Sequence, residues 1–117
     1  DDHRIKLYCA STLYHLSSRP RNREELLSVG GATGTITIAK TVVHWKIAKL
    51  CALTLRNLSF FDGGEDIMAK EGAMFAIKCL LGIRNQRLAP VCVQSLYNLT
   101  CVDTHFKEME RIIKALL

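Results

Sequence analysis

Proline and aromatic residues are scarce, with 2 prolines and 7% Phe, Trp and Tyr in 117 residues. Together with only 7 glycines, this scarcity argues against a turn-rich β-sandwich and for helices. A long apolar run is also lacking. The longest uncharged stretches, residues 88–102 with 15 residues and residues 26–39 with about 14 rich in Gly, Ser and Thr, fall short of the roughly 20 apolar residues of a membrane span. The 5 cysteines are an odd number, without the even framework of a small secreted domain, so a reducing, intracellular compartment is expected. Acidic residues are outnumbered 11 to 16, for a net charge of +5. That balance admits an acidic partner but does not demand nucleic acid. What is present is apolar material: 49% hydrophobic against 23% charged residues, which excludes a disordered tail. The sequence opens at Asp1 with no initiator Met or targeting segment, and is expected to be an excerpt of a longer polypeptide.

Self-comparison is informative. Leu13-Tyr14-His15-Leu16-Ser17, Leu55-Arg56-Asn57-Leu58-Ser59 and Leu96-Tyr97-Asn98-Leu99-Thr100 match, at intervals of 42 and then 41 residues. Upstream the match continues without a gap. Cys9, Cys51 and Cys92 stand four residues before each leading Leu, Ile5, Ile47 and Leu88 eight before, and Thr12, Thr54 and Ser95 one before. Ala10, Ala52 and Val93 follow the cysteines. Inside each copy the apolar residues fall at helical spacing, as in Ile47, Leu50, Cys51, Leu55 and Leu58, so one stripe of a long helix faces its neighbours. Downstream, Leu26, Leu27, Val29 and Gly30-Gly31-Ala32 correspond to Ile67, Met68, Ala69 and Gly72-Ala73, if the surplus residue of the first interval sits in the loop 18–21. Glycine suits a sharp change of direction between two helices.

Each unit is therefore a short helix, a glycine turn, a middle helix and a long helix. Residues 1–20 supply the long helix of a partial unit, 21–61 and 62–102 two full units, and 103–117 the start of another. One stretch conflicts locally: Thr35-Ile36-Thr37-Ile38 alternates polar with β-branched residues and in isolation reads as a strand. Its counterpart, 73–81, has a helical composition, and stacked copies require the same secondary structure, so a helix is expected in both.

The string Ala-Leu-Thr-Leu-Arg-Asn-Leu-Ser at 52–59, the apolar pair after it and Glu-Gly-Ala-Met at 71–74 closely resemble the armadillo repeat of β-catenin, plakophilins and other scaffolds. The period lies within the range of about 40 to 47 for armadillo and related repeats. The resemblance spans nearly the whole chain and implies an all-α fold: a right-handed solenoid of about three stacked three-helix units, the long helices lining a concave groove. It implies a non-catalytic protein-interaction scaffold holding a protein or peptide ligand, without a cofactor. In the family an Asn on the third helix commonly holds a peptide backbone, since an amide both donates and accepts. The matching positions are Asn57 and Asn98, with His15 in the first copy. One turn earlier, where nuclear-import receptors carry Trp, stand Ser11, Leu53 and Gln94. Without aromatic slots for long basic side chains, the sequence is not similar to that branch.

Eleven residues before the ladder position stand Arg4, Lys46 and Arg87, joined by Lys49 and by Arg56 beside Asn57. Eleven residues is close to three helical turns, which brings each cation to its ladder residue's side. These cations either attract an acidic or phosphorylated ligand or are solvated charges. Tyr14 and Tyr97 read as packing residues. All five cysteines fall among apolar neighbours and read as buried, inert thiols; one per unit cannot assemble the short bonds of a zinc site. His3, His44 and His105 show no partner spacing. Residues 30–34 lack the Lys and hydroxyl of a phosphate loop, and 62–66 lack the alternating ligands of a calcium loop, so no metal and no catalytic set is expected. Two alternatives stay open: a structural spacer in a cytoskeletal or ciliary assembly, and a sensor of a small phosphate-bearing metabolite through a basic groove. RNA ranks last as a partner. The closing run Ile112, Ile113, Ala115, Leu116, Leu117 has nothing after it to cover it, so neighbouring repeats or another subunit are expected at the ends.

Overall fold

The computed structural model describes residues 2–42, 44–99 and 112–116. It is all-α, with no strand among the described residues. Helix α1 spans Asp2–Ser17; a 3-10 turn, Pro20–Asn22, leads into α2, Arg23–Ser28; α3 is Gly31–Thr41, α4 Trp45–Ser59, α5 Glu65–Glu71, α6 Ala73–Leu81 and α7 Ala89–Asn98. Residues 112–116 are also helical.

Local chemistry accounts for these boundaries. Glu24 and Glu25 open α2, and Glu65 and Asp66 open α5, where the exposed N–H groups of a first turn favour negative charge. The α2–α3 and α5–α6 corners turn on Gly30 and Gly72, whose φ angles of 90° and 93° lie in the left-handed region that a side chain disfavours. Gly30, and not Gly31, is the counterpart of Gly72: it follows Leu13 by the interval that separates Gly72 from Leu55. The surplus residue in 18–21 holds for the buried pair Leu27 and Met68. By the glycine, α5 has run one residue longer than α2, so the surplus reappears between α3 and α4. The stretch Thr35–Ile38 is helical. Thr35 and Thr37 donate their hydroxyls to the carbonyls of Gly31 and Thr33, each at 2.9 Å, so the β-branched polar residues are satisfied within the helix.

Equivalent helices pack consecutively: α1 against α4, α4 against α7, and α3 against α6, with α3 also on α4 and α6 on α7. The core runs between these two files. It contains Ile36 and Ile77 from the middle helices, Ile47, Leu55, Leu58 and Leu96 from the long ones, and Leu27 and Met68 from the short ones.

Two expectations need correction. Cys9 is exposed and Cys79 half-buried, whereas Cys51 and Cys92 are buried as expected; α4 and α7 each follow an earlier long helix that packs on them, α1 and α4 respectively, and among the described residues α1 has no such predecessor. Arg87 does not share a helical register with Arg4 and Lys46. Pro90 occupies the first turn of α7, where its missing N–H is harmless and its fixed φ starts the helix, so Arg87 lies in the preceding turn. The expectations for Cys101, His105 and most of 103–117 fall outside the described residues.

Candidate functional site

The ladder residues sit on α1, α4 and α7. Asn57 is 5% exposed and its amide Nδ2 donates to Ser17 Oγ at 3.2 Å. Ser17 Oγ in turn donates to the Tyr14 carbonyl at 3.0 Å. The next pair of helices repeats this arrangement. Asn98 Nδ2 donates to Ser59 Oγ at 2.9 Å, and Ser59 Oγ donates to the Arg56 carbonyl at 2.6 Å. Each chain of amide, hydroxyl and carbonyl ties a long helix to the one before it. Such a bond contributes about 0.5–1.5 kcal/mol net, and more is lost if one partner is left buried and unpaired. Ser17 and Ser59 recur in the sequence beside the ladder, but only the packed structure makes them partners of Asn57 and Asn98. His15, the first-copy counterpart, is exposed, with its ring centroid 5.4 Å from that of Tyr14.

The positions one turn earlier are more open. Ser11 and Leu53 are half-buried and Gln94 exposed, one on each of the three long helices. Around them, Arg4 and Lys46 are exposed and Lys49 half-buried. The Lys46 backbone N–H donates to His44 Nδ1 at 3.3 Å, which caps α4. Arg87 is drawn elsewhere, its guanidinium 5.8 Å from the centre of the Trp45 ring, a cation–π distance. Tyr97, expected to be a packing residue, is instead 74% exposed, beside Val93 on the outward side of α7. The cleft of about 600 Å³ between the α6–α7 turn and residues 112–116, lined by Lys78, Leu81, Arg84, Asn85 and Ile112 among others, contains none of these ladder or cationic positions.

A second charged group gathers at the C-terminal ends of α1 and α4. Arg56 Nη2 donates to Asn57 Oδ1 at 3.4 Å, while its Nε is buried with no acceptor. Arg23 Nε donates to the Ser17 carbonyl at 2.9 Å, and its guanidinium lies 5.6 Å from the centre of the Phe60 ring. Burial and the nearby charge of Arg56 hold Arg23 below the ordinary arginine value. Arg23 is the one residue of this group without a repeat-based signal in the sequence; its only mark there is its place in the first turn of α2, before Glu24 and Glu25, where a cation opposes the helix dipole.

Burial pushes the Cys51 and Cys92 thiols up to about 12; a thiol held protonated is a poor nucleophile and metal ligand. Among the described residues no three His, Cys, Asp or Glu side chains form a metal-binding group, and no helix is long and apolar enough to cross a membrane. No protein-family model, curated protein or solved structure matches the chain.

Proposed function

We propose that the chain is a stretch of right-handed, armadillo-like α-solenoid that acts without catalysis as an intracellular protein-interaction scaffold, holding a protein or peptide across the face formed by α1, α4 and α7. The observation that carries this reading is the repeated clasp: Asn57 to Ser17 and Asn98 to Ser59, the same residues joining successive long helices. A repeat array of this kind presents equivalent residues at a regular spacing along one surface, which is how solenoids build extended binding faces. Because Asn57 is engaged with Ser17 and Arg56, the ligand contacts fall to its less buried neighbours: Ser11, Leu53 and Gln94 along the ladder, with His15, Arg4, Lys46 and Lys49 around them. The amides brace the face. The four free cysteines among the described residues, Cys9, Cys51, Cys79 and Cys92, fit a reducing compartment.

Site-specific photo-crosslinking in cells tests the face. A benzoylphenylalanine at Leu53 or Gln94 is expected to give a discrete crosslinked product, and the same probe at Thr37, exposed on α3, is expected to give none. Lys49→Glu should reduce the Leu53 product severalfold, as charge reversal near an acidic ligand slows its capture. Equal labelling at Leu53 and Thr37, or none at any of the three positions, would overturn the assignment.

A further inference from the structure

Among the described residues, Arg23 and Arg56 bring two positive charges close together. The two guanidiniums come from different helices and are held in place. Arg23 is anchored on the Ser17 carbonyl and over Phe60, and Arg56 on the Asn57 amide oxygen. Among the described residues neither forms an ion pair with a carboxylate; Glu24 and Glu25, next to Arg23 in the sequence, are exposed and unpaired with it. The counter-charge at hand is that of two helix ends, since Arg23 caps α1 and Arg56 lies in the last turn of α4. A helix C-terminus carries about half a negative charge, but Arg23 also stands in the first turn of α2, whose positive end cancels part of that. The pair keeps an excess of positive charge, and with it a buried Arg56 Nε–H that lacks an acceptor among the described residues. Unmet donors of this kind are uncommon in folded proteins and call for a specific cause.

We propose that Arg23 and Arg56, flanking the Asn57–Ser17 clasp, form a binding site for a phosphomonoester or phosphate dianion. Such a group brings up to two negative charges and three acceptor oxygens, which suits two guanidinium forks better than a single carboxylate does. Arg23 keeps its Nη donors for the anion while its Nε stays on Ser17. Arg56, only half-buried as a residue, offers the donors that Asn57 does not use. Arg19 and Arg21, exposed in the loop before α2, add positive potential on the approach. This inference rests on the groove reading and deepens it, because it names a phosphorylated residue as the acidic feature of the ligand. The register of Arg4, Lys46 and Arg87 singled out from the sequence is not the site, since Arg87 lies in the turn before α7 and the three do not share a helical register.

The test observes the side-chain Nε–H signals of the arginines by NMR in the whole chain, during titration with inorganic phosphate against chloride at constant ionic strength. The expected result is a saturable shift of Arg23 and Arg56 that chloride does not produce, with Arg19 and Arg21 following ionic strength alone. Arg56→Lys keeps the charge and loses the fork; it should weaken phosphate binding about tenfold, or about 1.4 kcal/mol, with backbone amide spectra confirming that the fold is intact. Arg23→Gln is the second variant and should do the same. Tighter binding of N-acetyl-phosphoserine amide than of phosphate supports the site with a phosphorylated protein as source, and equal binding supports it with free phosphate as source. Arg23 and Arg56 shifts no larger than those of Arg19 and Arg21, an unchanged titration in Arg56→Lys, or preference for an RNA dinucleotide over both probes would overturn it. The phosphate titration needs no partner protein, so it can fail while crosslinking at Leu53 succeeds, and the reverse.

Discussion

Helices α1 and α4 carry the same side-chain pattern and differ in what surrounds them. Ile47 and Leu58 of α4 are 1% and 0% exposed, while their counterparts Ile5 and Leu16 of α1 are 63% and 42% exposed. Tyr8 and Cys9 are open to solvent on the same side of α1, whereas Cys51 is buried on α4. The pattern thus records which side of a helix is built for packing, and the neighbour decides whether that side is buried. Helix α4 lies between α1 and α7; α1 packs against α4 on one side only. The contrast predicts the largest effect. Leu58→Ala removes a fully enclosed side chain and should lower the unfolding free energy by about 2–5 kcal/mol. Leu16→Ala, at the same register, should lower it by less than about 1 kcal/mol, because much of that side chain is already wet. Urea unfolding of the two variants checks both values. Equal losses would mean that the outward side of α1 is covered in solution.

The cysteine register sharpens the same comparison through pH. Cys51 and Cys92 are pushed from the ordinary thiol value of 9.0 up to about 12 by burial. The unfolded thiols ionise first as pH rises, while the folded ones stay protonated. The stability they lend is therefore fully present below pH 9.0 and is lost as pH climbs toward about 12. Each thiol contributes a slope of roughly 1.4 kcal/mol per pH unit in that window. Lys and Tyr titrate over the same range, so the measurement is a difference: urea midpoints of the parent should fall more steeply with pH than those of the Cys51→Ala, Cys92→Ala double variant. Parallel pH profiles would show that the two thiols are not shielded.

Much of this helical arrangement was legible in the sequence, because helix positions follow from local periodicity. The stripe Ile47, Leu50, Cys51, Leu55, Leu58 and the glycine corners each express an interaction within one or two turns of chain. Even the strand-like Thr35–Ile38 could be assigned to a helix by comparison with Ala73–Leu81. What escaped depends on residues far apart in the chain. That Asn57 would meet Ser17, and Asn98 Ser59, requires two helices to be docked at one height. Arg23 acquires its significance only where α2 folds back beside the end of α1 and brings it near Arg56. The error over Arg87 has a local cause. Counting eleven residues back from Asn98 assumes an unbroken helix, and Pro90 starts that helix at Ala89, too late to include Arg87.

The smallest effects separate two glycines that a composition count treats alike. Gly72 sits at φ 93° with open space around the position of a Cβ, so Gly72→Ala meets backbone strain and no clash, and should cost about 1 kcal/mol. Gly34 lies inside α3 with ordinary backbone angles, and an added Cβ there would meet only Leu13 Cδ1 at 3.8 Å, a normal contact. Its counterpart in the next copy, counting from the paired glycines Gly30 and Gly72, is Ala76, fully buried in α6. Gly34→Ala would thus restore the residue that the second copy already uses, and should raise stability by about 0.5–1 kcal/mol by restricting the unfolded chain. Opposite signs for the two substitutions, read as opposite shifts of the thermal midpoint, would place both residues as described. A loss at Gly34 comparable to that at Gly72 would mean that the two copies do not align through Gly30 and Gly72, and that the correspondence of α3 with α6 has to be drawn one residue away.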